Sequence, residues 1–154
     1  MAQRIFGHVG GYRPGDLFAG RLDMSLTRIH PPPRSGVSGA QAEGVDSIVL
    51  ADQYEDDVFT EAEIWYTGHG GRDAKSGRQV ADQTLTSRNR AFLKSLNTGW
   101  PVRVLRKVTD EVRGEVYRYE GLYTVVDSRY GPGKSGFKVW LFLLRPFRRL
   151  SSFI

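Results

Sequence analysis

Between Leu50 and Asp73 the chain reads LADQYEDDVFTEAEIWYTGHGGRD. This stretch continues from Val45–Ala51, which ends in a short apolar run, and contains another such segment, Ala62–Tyr66. Runs of that length, bounded by polar residues and glycines, read as buried strands. The segment between them is polar. Tyr54 follows Asp52 and Gln53 and precedes Glu55, Asp56 and Asp57, a poor setting for a core residue. Tyr66 closes the second run, and Thr67-Gly68-His69-Gly70-Gly71 follows it. Two aromatic plates, a carboxylate and a series of backbone amides are the parts needed to hold one planar, hydrogen-bonding ring such as a nucleobase. The carboxylate accepts from an exocyclic amino group while the plates stack on the ring faces. Other readings stay open on the residues alone. The tyrosines also suit strand ends in a core, and the acids suit a solvated loop or oxygen ligands for magnesium or calcium. The glycine turn suits either positive backbone φ or a phosphate cradle built on Gly68, His69 and Gly70.

Working outward, Leu17–Leu26 alternates and reads as a strand, and Arg28–Gly44, with Pro31-Pro32-Pro33 and scattered Ser and Gly, reads as a long loop. Pro101–Val108 and Tyr117–Asp127 alternate as strands, and the nearly all-apolar Phe137–Leu144 reads as a central one. One clear helix is predicted: Thr86 or Ser87 caps it, Ala91, Phe92, Ser95 and Leu96 recur at helical spacing, and Asn97, Gly99 and Pro101 end it. Many strands with one or two helices give an α+β, mainly β class: a twisted, barrel-like mixed sheet with a few outer helices.

The 154 residues suffice for one domain with a real core. A net charge of +5 favours polyanionic partners, and most of the 22 basic residues are arginines, whose planar fork suits phosphate and guanine. An arginine-rich solvated surface gives the same composition. No apolar run approaches the ~18 residues of a membrane helix, so no membrane partner is expected. Cysteine is absent, which removes disulfides, cysteine–zinc sites and thiol catalysis.

Catalytic patterns are lacking too. His8, His30 and His69 are scattered, and neither a nucleophile elbow nor a zinc-deaminase pattern occurs, so the chain is read as a non-enzyme without cofactor or metal. Gly133-Lys134-Ser135 imitates a phosphate-binding loop. The position that needs glycine is Ser128, however, and the following Phe137–Leu144 is strand-like where a helix is required. The segment reads as a hairpin loop in which Lys134 and Ser135 contact a phosphate.

Ten short motifs, taken in order, resemble the SRA (SET- and RING-associated, YDG) domain, a reader of 5-methylcytosine in DNA. They include Phe6-Gly7-His8-Val9-Gly10-Gly11, Gly36-Val37-Ser38-Gly39, Tyr54-Glu55-Asp56-Asp57 and Tyr66-Thr67-Gly68-His69-Gly70-Gly71-Arg72-Asp73. Asp82-Gln83, Asn89-Arg90-Ala91, Pro101-Val102-Arg103-Val104 and Gly133-Lys134-Ser135-Gly136-Phe137 follow. The YDG triplet itself is Tyr119-Glu120-Gly121 here. The likeness runs from Phe6 to Arg145.

The resemblance implies a PUA-like fold and a double-stranded DNA partner whose modified cytosine is flipped between Tyr54 and Tyr66. Asp57 would meet the cytosine edge, with backbone contacts from Ala51, Asp52, Gln53 and Thr67. Two loops would grip the duplex: Pro31–Gly39, carrying Arg34 and Ser35, and Ala74–Val80, carrying Lys75, Arg78 and Gln79. The second is about four residues shorter than in vertebrate hemimethylated-CpG readers, so the finger that checks the opposite strand is altered. The expected organisation is a DNA-binding domain over 1–147 with a short basic tail or linker at 148–154. It would be the targeting module of a bacterial modification-dependent restriction system, with a nuclease domain or partner, in the nucleoid (or the nucleus of a eukaryote). The alternatives are a PUA-like RNA-binding module without base flipping, and a magnesium-dependent nuclease.

Overall fold

The computed structural model describes residues 3–51 and 54–148. Within them the chain forms eight strands and two helices: β1 (Leu17–Phe18), α1 (Arg21–Leu26), β2 (Val37–Ala40), β3 (Gly44–Leu50), β4 (Val58–Phe59), β5 (Ile64–Thr67), α2 (Ser87–Thr98), β6 (Val102–Asp110), β7 (Gly114–Pro132) and β8 (Lys138–Pro146). One mixed sheet runs β2-β3-β6-β7-β8-β5-β4, with β1 added to β7. Only β3 and β6 pair in parallel; the remaining pairs are antiparallel. Among the described residues the sheet does not close, and β2 and β4 are its edges.

All seven residues of β3 are buried, because both of its faces are covered. Ile48 and Leu50 join the larger core with Phe92 of α2, Phe142 and Leu144 of β8, and Tyr66 of β5. Val49 points the other way, into a smaller core with Phe18, Met24, Ile29 and Tyr119. A strand covered on both faces has no polar alternation to show, and β3 ends on the unbroken apolar run Ile48-Val49-Leu50, while its buried Asp46 and Ser47 are bonded, Asp46 to Arg4, Ser38 and Arg103 and Ser47 to His30. Helix α2 lies over the larger core as its sequence predicts. Thr86 caps it by accepting the Asn89 amide, and Gly99 ends it at φ 70°, where a side chain is disfavoured.

Two expectations are corrected. Leu17–Leu26 is not one strand: only Leu17–Phe18 pairs, and Arg21–Leu26 is helical. Over so few residues the two periods are hard to separate, and burial of Met24 beside Phe18 favours the helix. Arg28–Gly44 is not loop throughout, since Val37–Ala40 forms β2 against β3, where buried Ser38 bonds Asp46. The Gly133–Gly136 segment is indeed the hairpin loop between β7 and β8, with Gly133 and Phe137 closing it.

The Tyr119-Glu120-Gly121 triplet is a sheet device. The β6–β7 register shifts beside it, and Gly121 sits at φ 104°, a bulge that bends the long strand. Tyr119 is buried with its hydroxyl 2.7 Å from His8 Nδ1, and Glu120 bonds Arg106 and Arg118. A carboxylate is what the two arginines need, and glutamate supplies it.

Candidate nucleic-acid interface

The polar turn after β3 separates its three acids into three environments. Tyr54 O accepts from the Asp57 amide, closing a tight turn that leaves Glu55 exposed. Asp56 accepts the Lys134 amide at 3.0 Å and so ties this turn to the β7–β8 hairpin. Asp57 Oδ1 accepts the Thr67 amide at 2.8 Å, at the end of β5. Burial pushes the Asp57 carboxyl above the usual carboxylate range, while its bond to Thr67 and the nearby Arg72 charge pull the other way. Among the described residues no three His, Asp or Glu side chains converge as a metal site.

The two tyrosines differ. Tyr54 is half-buried and lines a cleft of about 700 Å³. Tyr66 is 3% exposed, and its ring lies 5.6 Å from that of Phe92. Its hydroxyl is placed to donate to Gly36 O at 3.2 Å or Val49 O at 3.3 Å, which pins the first loop to β3 and β5. Neither Tyr66 nor Asp57 lines the cleft, which runs from Tyr54 and Thr67 to Arg78, Gln79 and Ser135. Arg72 occupies one face of Tyr54, with its guanidinium carbon 3.6 Å from the ring centroid and Nη2 donating to Gly68 O.

The glycine turn is strapped from beneath. The Gly68 amide donates to Trp140 O and the His69 amide to Asn89 Oδ1. Asn89 Nδ2 donates to His69 O and Thr84 O, and Gln83 Nε2 donates to Gly68 O. Gly68 must be glycine: a Cβ there would stand 2.7 Å from Asn89 Oδ1 and 2.8 Å from Trp140 Cβ. With two amides used internally, a phosphate role for this turn rests on Gly70 and on the His69 ring, whose Nδ1 lies 3.2 Å from Thr86 Oγ1.

The second loop is compact. Asp73 caps it by accepting the Lys75 and Ser76 amides, and Arg72 bridges Gln79. Gln79 turns inward to Gly70 O and Ala81 O, whereas Lys75 and Arg78 are exposed. Lys134 and Ser135 are exposed on the neighbouring hairpin. In the first loop Arg34 is exposed, while Ser35 folds its hydroxyl onto Val37. Arg21 braces that loop through the carbonyls of Pro32, Arg34 and Ser35, and buried His30 bonds Ser47 Oγ and Ser35 O. Ala51 is half-buried beside the smaller core; Asp52 and Gln53 lie outside the described residues, as does 149–154 of the expected tail.

Burial pushes the His30 imidazole down to about 4. The folded state therefore binds this proton less readily than the unfolded chain. The stability contributed by neutral His30 is present above the ordinary histidine value and is lost as pH falls from ~6.5 towards ~4. An imidazole NMR titration should find His30 neutral at pH 6, and the thermal midpoint should drop across that window. Full protonation of His30 by pH 6 in the folded protein would contradict the buried placement.

Sequence reading missed Arg72 as a partner of Tyr54, and the bracing roles of Arg21, His30, Gln83 and Asn89. One signal was available: Asn89 is a polar residue three positions before Phe92 on the apolar face of α2.

A sequence model of the SAD/SRA domain matches residues 5–149. The E3 ubiquitin-protein ligase UHRF1 of Bos taurus is 39% identical over 91% of this chain and 21% of its own length. The histone-lysine N-methyltransferase family member SUVH9 of Arabidopsis thaliana is 37% identical over 92% of this chain and 23% of its own. The chain thus spans less than a quarter of either relative. Among solved structures, the modification-dependent TagI restriction endonuclease superposes with a TM-score of 0.87 at 34% identity, covering 97% of this chain and 54% of that one. The SUVH5 SRA domain in complex with hemimethylated CG DNA superposes at 0.80 and 33%, covering 95% and 96%. With a family match across nearly the whole sequence and relatives well above 30% identity, the chain belongs to the SAD/SRA domain family.

Proposed function

We propose that this chain binds double-stranded DNA and reads 5-methylcytosine, or a related 5-modified cytosine, by taking the base out of the helix into the cleft beside Tyr54. The observation that carries the reading is the convergence of Tyr54 and Thr67, with Asp57 bonded behind Thr67, on one cleft walled by Arg78, Gln79 and Ser135. Flipping costs a few kcal/mol, and stacking returns about 1–3 kcal/mol per base face. Tyr54 supplies one such face. A base using the face that Arg72 covers requires Arg72 to move. Asp57 supplies the acceptor for the cytosine amino edge, and the exposed Arg34, Lys75, Arg78 and Lys134 supply phosphate contacts.

The similarity to SRA domains seen with methylated DNA supports the ligand, and the similarity to a modification-dependent endonuclease supports a role as a targeting module for a linked or partner nuclease. Such a module works where DNA is, in a nucleoid or nucleus. The short, self-capped second loop supports a reader that does not insist on the unmodified opposite strand.

Competition binding with methylated duplex, unmethylated duplex and RNA tests the proposal. The methylated duplex should win, with log affinity falling linearly with log salt. Equal competition by the unmethylated duplex would remove base reading, and a winning RNA would favour the RNA-binding alternative.

A further inference from the structure

Several arginines of this chain are used internally. Arg103 is buried on Asp46 and three backbone carbonyls, Arg4 pairs with Glu43 and Asp46, and Arg106 and Arg118 share Glu120. Arg28 and Arg88, like the exposed Arg34 and Arg78, have no such partner among the described residues. Both are exposed, and among the described residues neither side chain makes a salt bridge or hydrogen bond. They line a second cleft of about 410 Å³ with Arg4, Pro31, Pro32 and Ser35, and no carboxylate lines it.

Both residues also stand where arginine is locally unfavourable. Arg28 is the one non-glycine residue with positive φ among the described residues, at 69°, a conformation that favours glycine. Arg88 lies in the first turn of α2, where the helix dipole disfavours a cation, and that turn has no acid to compensate. Arg88 also lies close enough to the glycine turn for its charge to hold the His69 imidazole down, after burial has done so. The second cleft is lined by Pro31, Pro32 and Ser35 of the first loop.

We propose that Arg28 and Arg88 form a phosphate clamp, the second cleft receiving the sugar–phosphate backbone of a duplex beside the first loop. This rests on the DNA-reading function proposed above and extends its footprint past the base cleft. Backbone phosphates are sequence-blind, so the clamp strengthens binding and leaves the choice of base to the Tyr54 cleft. An anion offsets the local costs of both arginines only when bound, so removing either should weaken DNA binding without weakening the fold.

The test is fluorescence anisotropy of methylated and unmethylated duplexes of equal length, across a salt series, for wild type, Arg28→Gly, Arg88→Gln and the double variant. Each single change should lower the slope of log affinity against log salt by about 0.9, and the double by about 1.8. The ratio of methylated to unmethylated affinity should be unchanged, and the thermal midpoint of each variant no lower than that of wild type. An unchanged slope overturns the clamp. So does a lost methyl preference at constant slope, which would place these residues at the base. Reduced slopes with a wild type blind to methylation would keep the clamp and sink the methylcytosine reading alone. Failure of the wild type to bind either duplex sinks both.

Discussion

Replacing Tyr66 with alanine is expected to lower folding stability by about 3–5 kcal/mol, the range for losing a large buried aromatic. The ring is 3% exposed and packs on Phe92, which in turn stacks on Phe142 with centroids 4.4 Å apart. The cavity would open at the centre of the larger core, between α2 and the sheet, where close packing allows little relaxation. The hydroxyl lost with the ring also frees Gly36 from β5, so the first loop loses an anchor. Methylated and unmethylated DNA should therefore both bind less well wherever the variant is partly unfolded. Tyr66→Phe removes only the hydroxyl and should cost ~1 kcal/mol. Urea denaturation of the three proteins checks this. An alanine variant as stable as wild type, with its methyl preference gone, would make Tyr66 a wall of the base site with little part in the core.

Asp57→Asn is expected to reduce discrimination for modified cytosine by about 1–3 kcal/mol, the worth of a good base-edge contact. The fold should survive. The folded protein holds the Asp57 proton more tightly than the unfolded chain does, because burial disfavours the charge. As pH rises from the ordinary carboxylate range through the raised value, the unfolded chain ionises first, and stability due to this group falls. At neutral pH the carboxylate is thus a cost to folding, and a neutral amide of nearly equal volume removes it. The asparagine oxygen can still accept from the Thr67 amide, but the charge-assisted contact proposed for the cytosine amino group would be lost. Competition binding alongside thermal denaturation separates the roles. Unchanged preference with a lowered midpoint would assign Asp57 to the turn alone.

The contrast between the two tyrosines shows what could be read from the chain. Tyr54 and Tyr66 are the same residue type bordering the same polar segment, yet one lines a cleft and the other a core. Their difference comes from Phe92, 26 positions beyond Tyr66, and from Gly36, 30 positions before it. The three consecutive acids likewise diverge because Lys134, 78 residues from Asp56, folds beside them. Short-range pattern carries none of this.

By itself the sequence determined what depends on near neighbours. The apolar runs Ile48–Leu50 of β3, Ile64–Tyr66 of β5 and Val139–Leu144 of β8 record burial, and Thr86 and Gly99 record the ends of α2, because capping and periodicity act within a few residues. The ordered motifs also determined the family. Tertiary structure alone decided which arginines are used up in the interior, that Arg72 covers Tyr54, and that α1 replaces half of an expected strand. A charge, a ring face or a six-residue helix takes its role from partners brought together by the sheet, and such partners are chosen by distance in space, which separation along the chain does not reveal.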